Sequence, residues 1–275
     1  MNRTMNYLWK LSPQTVYHSL KDIIRGDEME KTIKKLSLMP PKTGTEIEFM
    51  GKRIIIPDAP SFLSMYTEIF KREVMNFSAG TNPLIFDCGA NIGISIIYFK
   101  LKYPASTIIA FEADPEIFKI LKHNIAAFGF DGVQLFCKAC SDHKGIAYFK
   151  QDGADGGRII DDGGNRRDTI HVEAVRLKDF IRQKIDFMKL DIEGSETDVL
   201  LDCGDVICNI DKMYIEYHSF KEKGQTLHLI LALLDEHNFK YTLEARKYVK
   251  VLSNGEEKGN MIDMHVYIDA VRRED

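Results

Sequence analysis

No run of about 20 apolar residues occurs in the 275-residue sequence, so nothing in it reads as a bilayer-spanning helix. The first residues, Met1–Leu11, are too short and too polar a stretch for a secretory signal. An excess of positive charge is lacking as well. Lys and Arg number 37 against 41 Asp and Glu, a formal charge of −4, and no long basic run compensates. Electrostatics therefore argue against nucleic acid as the main partner. Cysteine is sparse and odd in number: five thiols, at 88, 137, 140, 203 and 208, in a chain long enough to fold without staples. Free thiols in a reducing cytoplasm are expected. Cys137 and Cys140 make one C-x-x-C pair with no second pair, whereas a closed structural zinc site needs four ligands. No internal repeat is visible.

What is present is an ordinary globular composition, 44% hydrophobic and 28% charged. Val16, Leu20, Ile23 and Ile24 have helical spacing in Thr15–Arg25, and Pro40-Pro41 then breaks the chain. Thr45–Phe49 and Arg53–Ile56 read as a hairpin around Met50-Gly51, followed by an amphipathic stretch, Ser61–Phe77. Residues 1–80 are thus expected to form a helical and hairpin cap on a main domain, 81–275. From Pro83 onward strands alternate with helices. Leu84–Asp87, Thr107–Glu112, Val133–Lys138, Asp186–Leu190 and Lys212–Tyr217 read as strands, with late candidates at Tyr241–Thr242 and His265–Ile268. Ile146–Phe149 is expected to extend the same sheet, and Val175–Ile181 to be a helix. Such alternation implies an α/β fold with a mostly parallel sheet covered on both faces. Gln151–Asp168, with five glycines, five aspartates and three arginines, reads as a loop.

Ligands of such folds bind beyond the carboxyl ends of the strands. Four strands end there in acidic or polar residues: Asp87, Glu112, Asp191 and the Glu216-x-His218 pair. After Asp87 the chain reads Cys88-Gly89-Ala90-Asn91-Ile92-Gly93, and its glycines allow a tight turn and close approach of a ligand. The third glycine of the dinucleotide pattern G-x-G-x-x-G is missing. A carboxylate at 87 would repel a pyrophosphate but suits the ammonium and sulfonium of S-adenosylmethionine. Glu112 stands where an acid accepts hydrogen bonds from ribose hydroxyls. The plainer readings are a left-handed turn at Asn91, a helix cap at Asp114 and an ordinary turn at Ser141-Asp142.

The segments Ile85–Gly93, Phe111-Glu112-Ala113-Asp114-Pro115, Cys140-Ser141-Asp142 and Met188–Gly194 (Met-Lys-Leu-Asp-Ile-Glu-Gly) together resemble the FkbM-type methyltransferases. Glu68-Ile69-Phe70 is similar to a segment these proteins carry before the first strand, so the resemblance covers about residues 62–218. Ala113 departs from it, since Pro is commoner there. The resemblance implies a class I methyltransferase fold (Rossmann-like), a three-layer sandwich whose seven-stranded sheet has an antiparallel last strand. It also implies O-methylation of a sugar, polyketide or other secondary metabolite. The expected cofactor-binding set is Glu68, Asp87, Gly89, Ala90, Asn91, Ile92, Gly93, Glu112, Ala113, Asp114, Ser141 and Asp142.

Methyl transfer needs the acceptor oxygen, methyl carbon and sulfur in line, and a group to take the hydroxyl proton. Asp191 and Glu193 are two residues apart, as are Glu216 and His218, so each pair points one way from an extended strand. Either His218 or Asp191 is the general base, with Glu193 and Glu216 orienting the ligands, or Asp191, Glu216 and His218 hold Mg²⁺ or Mn²⁺. The plainer alternatives are that His218 packs on the sheet and that Glu193 caps the helix beginning near Ser195. Arg158 and Arg166-Arg167 are candidates to clamp an acidic acceptor such as a nucleotide-linked sugar, and Tyr66 to border the acceptor pocket. The cap could instead form a homodimer surface. The rival classes are an NAD-dependent oxidoreductase and a non-catalytic adenosylmethionine-binding protein.

Overall fold

In the computed structural model, residues 26–160, 169–221, 224–246 and 262–273 are described. The helix expected at Thr15–Arg25 and the Arg166-Arg167 pair lie outside them. Helix α1 (Asp27–Leu36) buries Met29 and Leu36 on one face. Strands β1 (Thr45–Phe49) and β2 (Lys52–Ile56) form the expected hairpin, with Met50 and Gly51 both at positive φ in the turn. Asp58 caps α2 (Ala59–Tyr66), its Oδ2 accepting the Ser61 N–H at 2.8 Å, and a π-helical turn, Thr67–Lys71, follows. These residues are apolar on one side only, and that side is covered. Phe49, Phe62, Tyr66 and Phe70 interlock edge-to-face and stacked, with ring centroids 5.4–6.1 Å apart.

The main sheet begins with β3 (Leu84–Cys88), joined by α3 (Ile94–Lys102) to β4 (Thr107–Glu112) and by α4 (Pro115–Phe128) to β5 (Val133–Cys137). After β6 (Ala139–Ser141), β7 (Gly145–Lys150), β8 (Arg158–Ile160) and β9 (Thr169–Arg176), the chain re-enters the main sheet. It does so through β10 (Phe187–Leu190), α5 (Glu196–Asp202), β11 (Lys212–Phe220), α6 (Leu227–Glu236), β12 (Phe239–Ala245) and β13 (Ile262–Arg272). The seven-stranded order is β12-β13-β11-β10-β3-β4-β5, parallel throughout except that β13 runs antiparallel to both neighbours. Its central strands β3, β4 and β10 are largely apolar on both faces because both are covered, whereas edge strand β12 is mostly exposed. Ile85, Ile108 and Phe187 face a core shared with α3, α4 and the N-terminal hairpin; Phe86, Met188 and Ile215 face one shared with α5 and α6.

Two expectations fail in the same place. Ile146–Phe149 does not extend the main sheet; as part of β7 it pairs antiparallel with β9 along six residues in a separate four-stranded sheet, β6-β9-β7-β8. The second, a helix over Val175–Ile181, fails because the segment before it is extended. In β9, Val172 and Ala174 are buried while His171 and Glu173 are exposed, a period of two, and only a 3₁₀ turn at Leu177–Phe180 follows.

Asn124 ties the N-terminal hairpin to the main domain. Its Oδ1 accepts the Ile55 N–H at 2.8 Å, and its Nδ2 donates to the carbonyls of Ile55 and Ile92, each at 3.0 Å. No helix among the described residues is long and apolar enough to cross a membrane.

Candidate active site

A cavity opens at the carboxyl ends of β3, β4, β10 and β11. The loop after β3 forms one wall through Gly89, Ala90 and Asn91. The backbone N–H groups of Gly89 and Ala90 both donate to the Phe111 carbonyl, at 3.0 and 2.8 Å, which folds the loop over the end of β4. Gly89 sits at φ +87°, and a Cβ there would collide with the Asp191 carbonyl oxygen. Asn91 takes the expected left-handed conformation, φ 48°. Its Oδ1 accepts the Ile92 N–H at 2.7 Å, and its Nδ2 donates to the Ala154 carbonyl at 3.0 Å.

Glu112 lies on the same wall, held from behind. Its Oε2 accepts the Asn91 N–H at 2.9 Å and its Oε1 the Asp114 N–H at 2.8 Å. Burial pushes its carboxyl up to about 7, against the pull of those two bonds. Asp114 lines the cavity but is first a helix cap, accepting the Glu116 N–H at 2.8 Å. Ala113 and Glu68 line it too, and Glu68 is paired with Arg246 and accepts the Tyr267 hydroxyl at 3.0 Å.

Lys189 lies at the centre of this end of the sheet, although the sequence reading passed over it. Its Nζ donates to the Gly89 carbonyl at 2.6 Å and stands 3.0 Å from Asp191 Oδ2 and 3.8 Å from Asp87 Oδ1. Burial alone would lower its pKa, but the Asp191 and Asp87 carboxylates outweigh burial and hold the ammonium charged. Asp87 is fully buried and does not line the cavity; the cation it faces is Lys189. Its Oδ2 accepts the Ser95 hydroxyl at 2.5 Å, while Oδ1 has no hydrogen-bond donor. Burial raises the Asp87 pKa, opposed by Lys189 and Ser95.

Asp191, Glu193 and Glu216 line the opposite wall. His218 is buried beside them, its Nε2 3.8 Å from both Glu193 Oε1 and Glu216 Oε1 and its Nδ1 3.6 Å from Glu196 Oε1. Burial would lower the His218 pKa, but Glu193 and Glu196 hold it well above the usual histidine range. His265 stacks against it at 4.2 Å between centroids, with its pKa driven down to about 3 by burial and by the His218 charge. Burial likewise pushes Glu193 up to about 8 and Glu216 well above the ordinary carboxylate range. Glu193 does not cap α5, since it sits at φ 56° ahead of the helix. Glu196 instead takes the Ile192 and Gly194 N–H groups at 3.0–3.1 Å.

Several sequence candidates fall outside the cavity wall. Ile92 and Gly93 are in the turn behind it: Ile92 is fully buried, and Gly93 precedes α3 at φ +89°. Ser141 and Asp142 bond to each other and to His143, while Ala139 and Cys140 of the same strand reach the cavity. Tyr66 is fully enclosed in the aromatic cluster, because helical spacing puts it on the face of Phe62. Arg158 lies over the Phe220 ring, 4.2 Å from its centroid, rather than in the cavity. Lys189, Glu196 and His265 are the residues the sequence reading missed.

A seven-stranded sheet with only β13 reversed, and a glycine loop and acidic strand ends gathered at one cavity, define a class I methyltransferase. The Methyltransferase FkbM domain family matches residues 87–241, more than half of the chain, and the chain belongs to that family. It is 27% identical over 184 residues to Methyltransferase 1 of Beauveria bassiana, covering 58% of this chain and 68% of that protein. It is 26% identical over 166 residues to the 2-O-methyltransferase NoeI of Sinorhizobium fredii, covering 53% and 68%. The 31-O-demethyl-FK506 methyltransferase FkbM of Streptomyces tacrolimicus is 28% identical over 218 residues, covering 66% and 82%. The chain is a methyltransferase.

Proposed function

We propose that this methyltransferase takes its methyl group from S-adenosylmethionine and delivers it to a hydroxyl of a small molecule, a sugar or other secondary metabolite. The observation that carries this reading is a single cavity walled at once by Gly89–Asn91, Glu112 and Asp191. The donor set suits the cofactor. Each Glu112 oxygen takes one backbone N–H and keeps a lone pair for a ribose hydroxyl. Asp191, Glu193 and Glu216 offer carboxyl oxygens to a cationic ligand. When bound, the cofactor would supply a methyl group already activated on a sulfonium. Two relatives carry O-methylation in their names, which supports oxygen as the acceptor atom.

The proton is assigned to Asp191. His218, the other candidate base, is buried behind the wall and does not line the cavity, so it cannot reach an acceptor hydroxyl there. Asp191 keeps 22% of its side chain accessible at the cavity. Ser64, Met65 and Glu68 also reach the wall, which supports reading residues 1–80 as a cap that borders the acceptor pocket. Arg158 lies on Phe220 and does not reach the cavity, so of the arginines suggested for clamping an acidic acceptor only the Arg166-Arg167 pair, outside the described residues, keeps that proposed role. The cytoplasmic location rests on the thiols alone.

Calorimetry with S-adenosylhomocysteine and with NAD tests the cofactor assignment, and the first alone should bind. Binding of NAD instead would remove the reading. A panel of hydroxylated and aminated acceptors, read by a mass gain of one methyl group, tests the acceptor atom; methylation of amines only would overturn the choice of oxygen.

A further inference from the structure

The antiparallel pairing of β11 with β13 sets His218 directly opposite His265, and Glu216, two residues earlier, shares the His218 face. Glu216 Oε1 is 2.7 Å from His265 Nε2 and 3.8 Å from His218 Nε2, and the three ligand-capable atoms lie within 4.8 Å of one another. Both histidines are 5% exposed. Asp191, Glu193 and His218 form a second such group, so His218 belongs to both.

The other side of the His218 ring is also prepared. Nδ1 is buried with no hydrogen bond, and the carboxylate nearest to it belongs to Glu196, at 3.6 Å. Glu196 is fully buried and immobilised by the backbone N–H groups of Ile192 and Gly194. A carboxylate behind one ring nitrogen, with the other nitrogen aimed at further ligand atoms, is how proteins orient a metal-binding histidine. The three carboxylate oxygens around His218 stand at 3.6–3.8 Å, each beyond hydrogen-bond length. Glu216 Oε1 is meanwhile hydrogen-bonded to His265 Nε2 at 2.7 Å, a bond that a metal ion would replace.

We propose that Glu216, His218 and His265 bind a divalent first-row transition ion, with Glu193 as the adjacent fourth ligand and Glu196 orienting His218. Two imidazoles with carboxylates select zinc, cobalt, manganese or iron(II) over the hard, oxygen-seeking Mg²⁺. The ligand set is therefore not the Asp191, Glu216 and His218 trio suggested by strand spacing, because His265 enters from the antiparallel strand.

The test does not depend on methyl transfer. The full chain, stripped with a chelator, is titrated with Zn²⁺ against a chromophoric competitor, and its Co²⁺ form is examined by visible absorption. One equivalent should bind, with a Co²⁺ spectrum free of thiolate charge transfer. H265Q and E216Q should each weaken Zn²⁺ binding by about 100-fold, and E196Q by at least about 10-fold. Zn²⁺ should also raise the thermal midpoint of the unmutated protein. Absence of a stoichiometric site in the unmutated chain, a thiolate band, or H265Q binding as tightly as the parent would each overturn the proposal.

Discussion

The Lys189 ammonium donates to the carbonyl oxygen of Gly89 at 2.6 Å, joining the end of β10 to the turn that follows β3. The same ammonium is the cation nearest to Asp87, which is fully buried. Replacing Lys189 by Met would leave that carboxylate without a counter-charge. Breaking a buried pair in this way costs about 3–5 kcal/mol. In a chain of this size that lowers the melting temperature by roughly 10 °C. Adding Asp87→Asn should restore part of the loss, since the two changes share one interaction. A Lys189→Met protein that melts with the parent would show that the pair does not carry the turn.

Gly89→Ala should abolish S-adenosylhomocysteine binding, because the added Cβ would strike the Asp191 carbonyl at a φ that disfavours side chains. Gly80→Ala is the control, as nothing lies within 4 Å of the added atom. Calorimetry on both variants checks the contrast. Unchanged binding in Gly89→Ala would mean that the loop is not part of the cofactor site.

The half of the site that follows β3 and β4 was legible because local rules suffice for it. An apolar strand, a glycine turn and a helix start recur over Leu84–Ser95, and Asp114 before Pro115 announces its cap. The other half depends on pairings distant in sequence. His265 comes to face His218 only because β13 runs antiparallel to β11 in a register that opposes the two. Lys189 sits within Phe-Met-Lys-Leu, where an apolar strand hides a single charge from any periodicity. Glu196 follows a glycine turn at Gly194, φ +97°, whose folding back onto the acid cannot be read from spacing. Tyr66 was misplaced for a related reason: helical spacing puts it on the Phe62 face, and which face met the cavity depended on the sheet beneath.

Glu112 gives a pH dependence with a definite sign. Its carboxyl rises from 4.5 to about 7 in the folded protein, chiefly through burial. The folded state therefore holds a proton that the unfolded state has lost between those values. This contribution to stability is complete below pH 4.5 and disappears as pH rises through about 7, at up to roughly 1.4 kcal/mol per pH unit. The ligand-free melting temperature of Glu112→Ala should thus fall less between pH 5 and 7 than that of the parent. With Glu112 on the ribose as proposed, cofactor binding should have the opposite slope, because only an ionised carboxylate can accept from both hydroxyls. S-adenosylhomocysteine should bind up to about 10-fold tighter at pH 8 than at pH 6. An affinity that is flat across that range would remove Glu112 from the ribose.

Asn124 connects the N-terminal hairpin to the glycine turn after β3 through one fully buried amide, which bonds Ile55 on both sides and the Ile92 carbonyl. Asn124→Ala would leave the Ile55 N–H and two carbonyls without partners where little water reaches. Each such group costs about 1–3 kcal/mol, so a loss of about 3 kcal/mol is expected after partial relaxation. The effect should extend beyond stability. Ile92 follows Asn91, whose N–H holds Glu112, so releasing the Ile92 carbonyl loosens the wall of the cavity. S-adenosylhomocysteine should then bind several-fold more weakly at a temperature where Asn124→Ala is still folded. Chemical denaturation and calorimetry on the same sample separate the two effects. A destabilised variant with parental affinity would mean that the hairpin supports the fold without setting the cofactor turn.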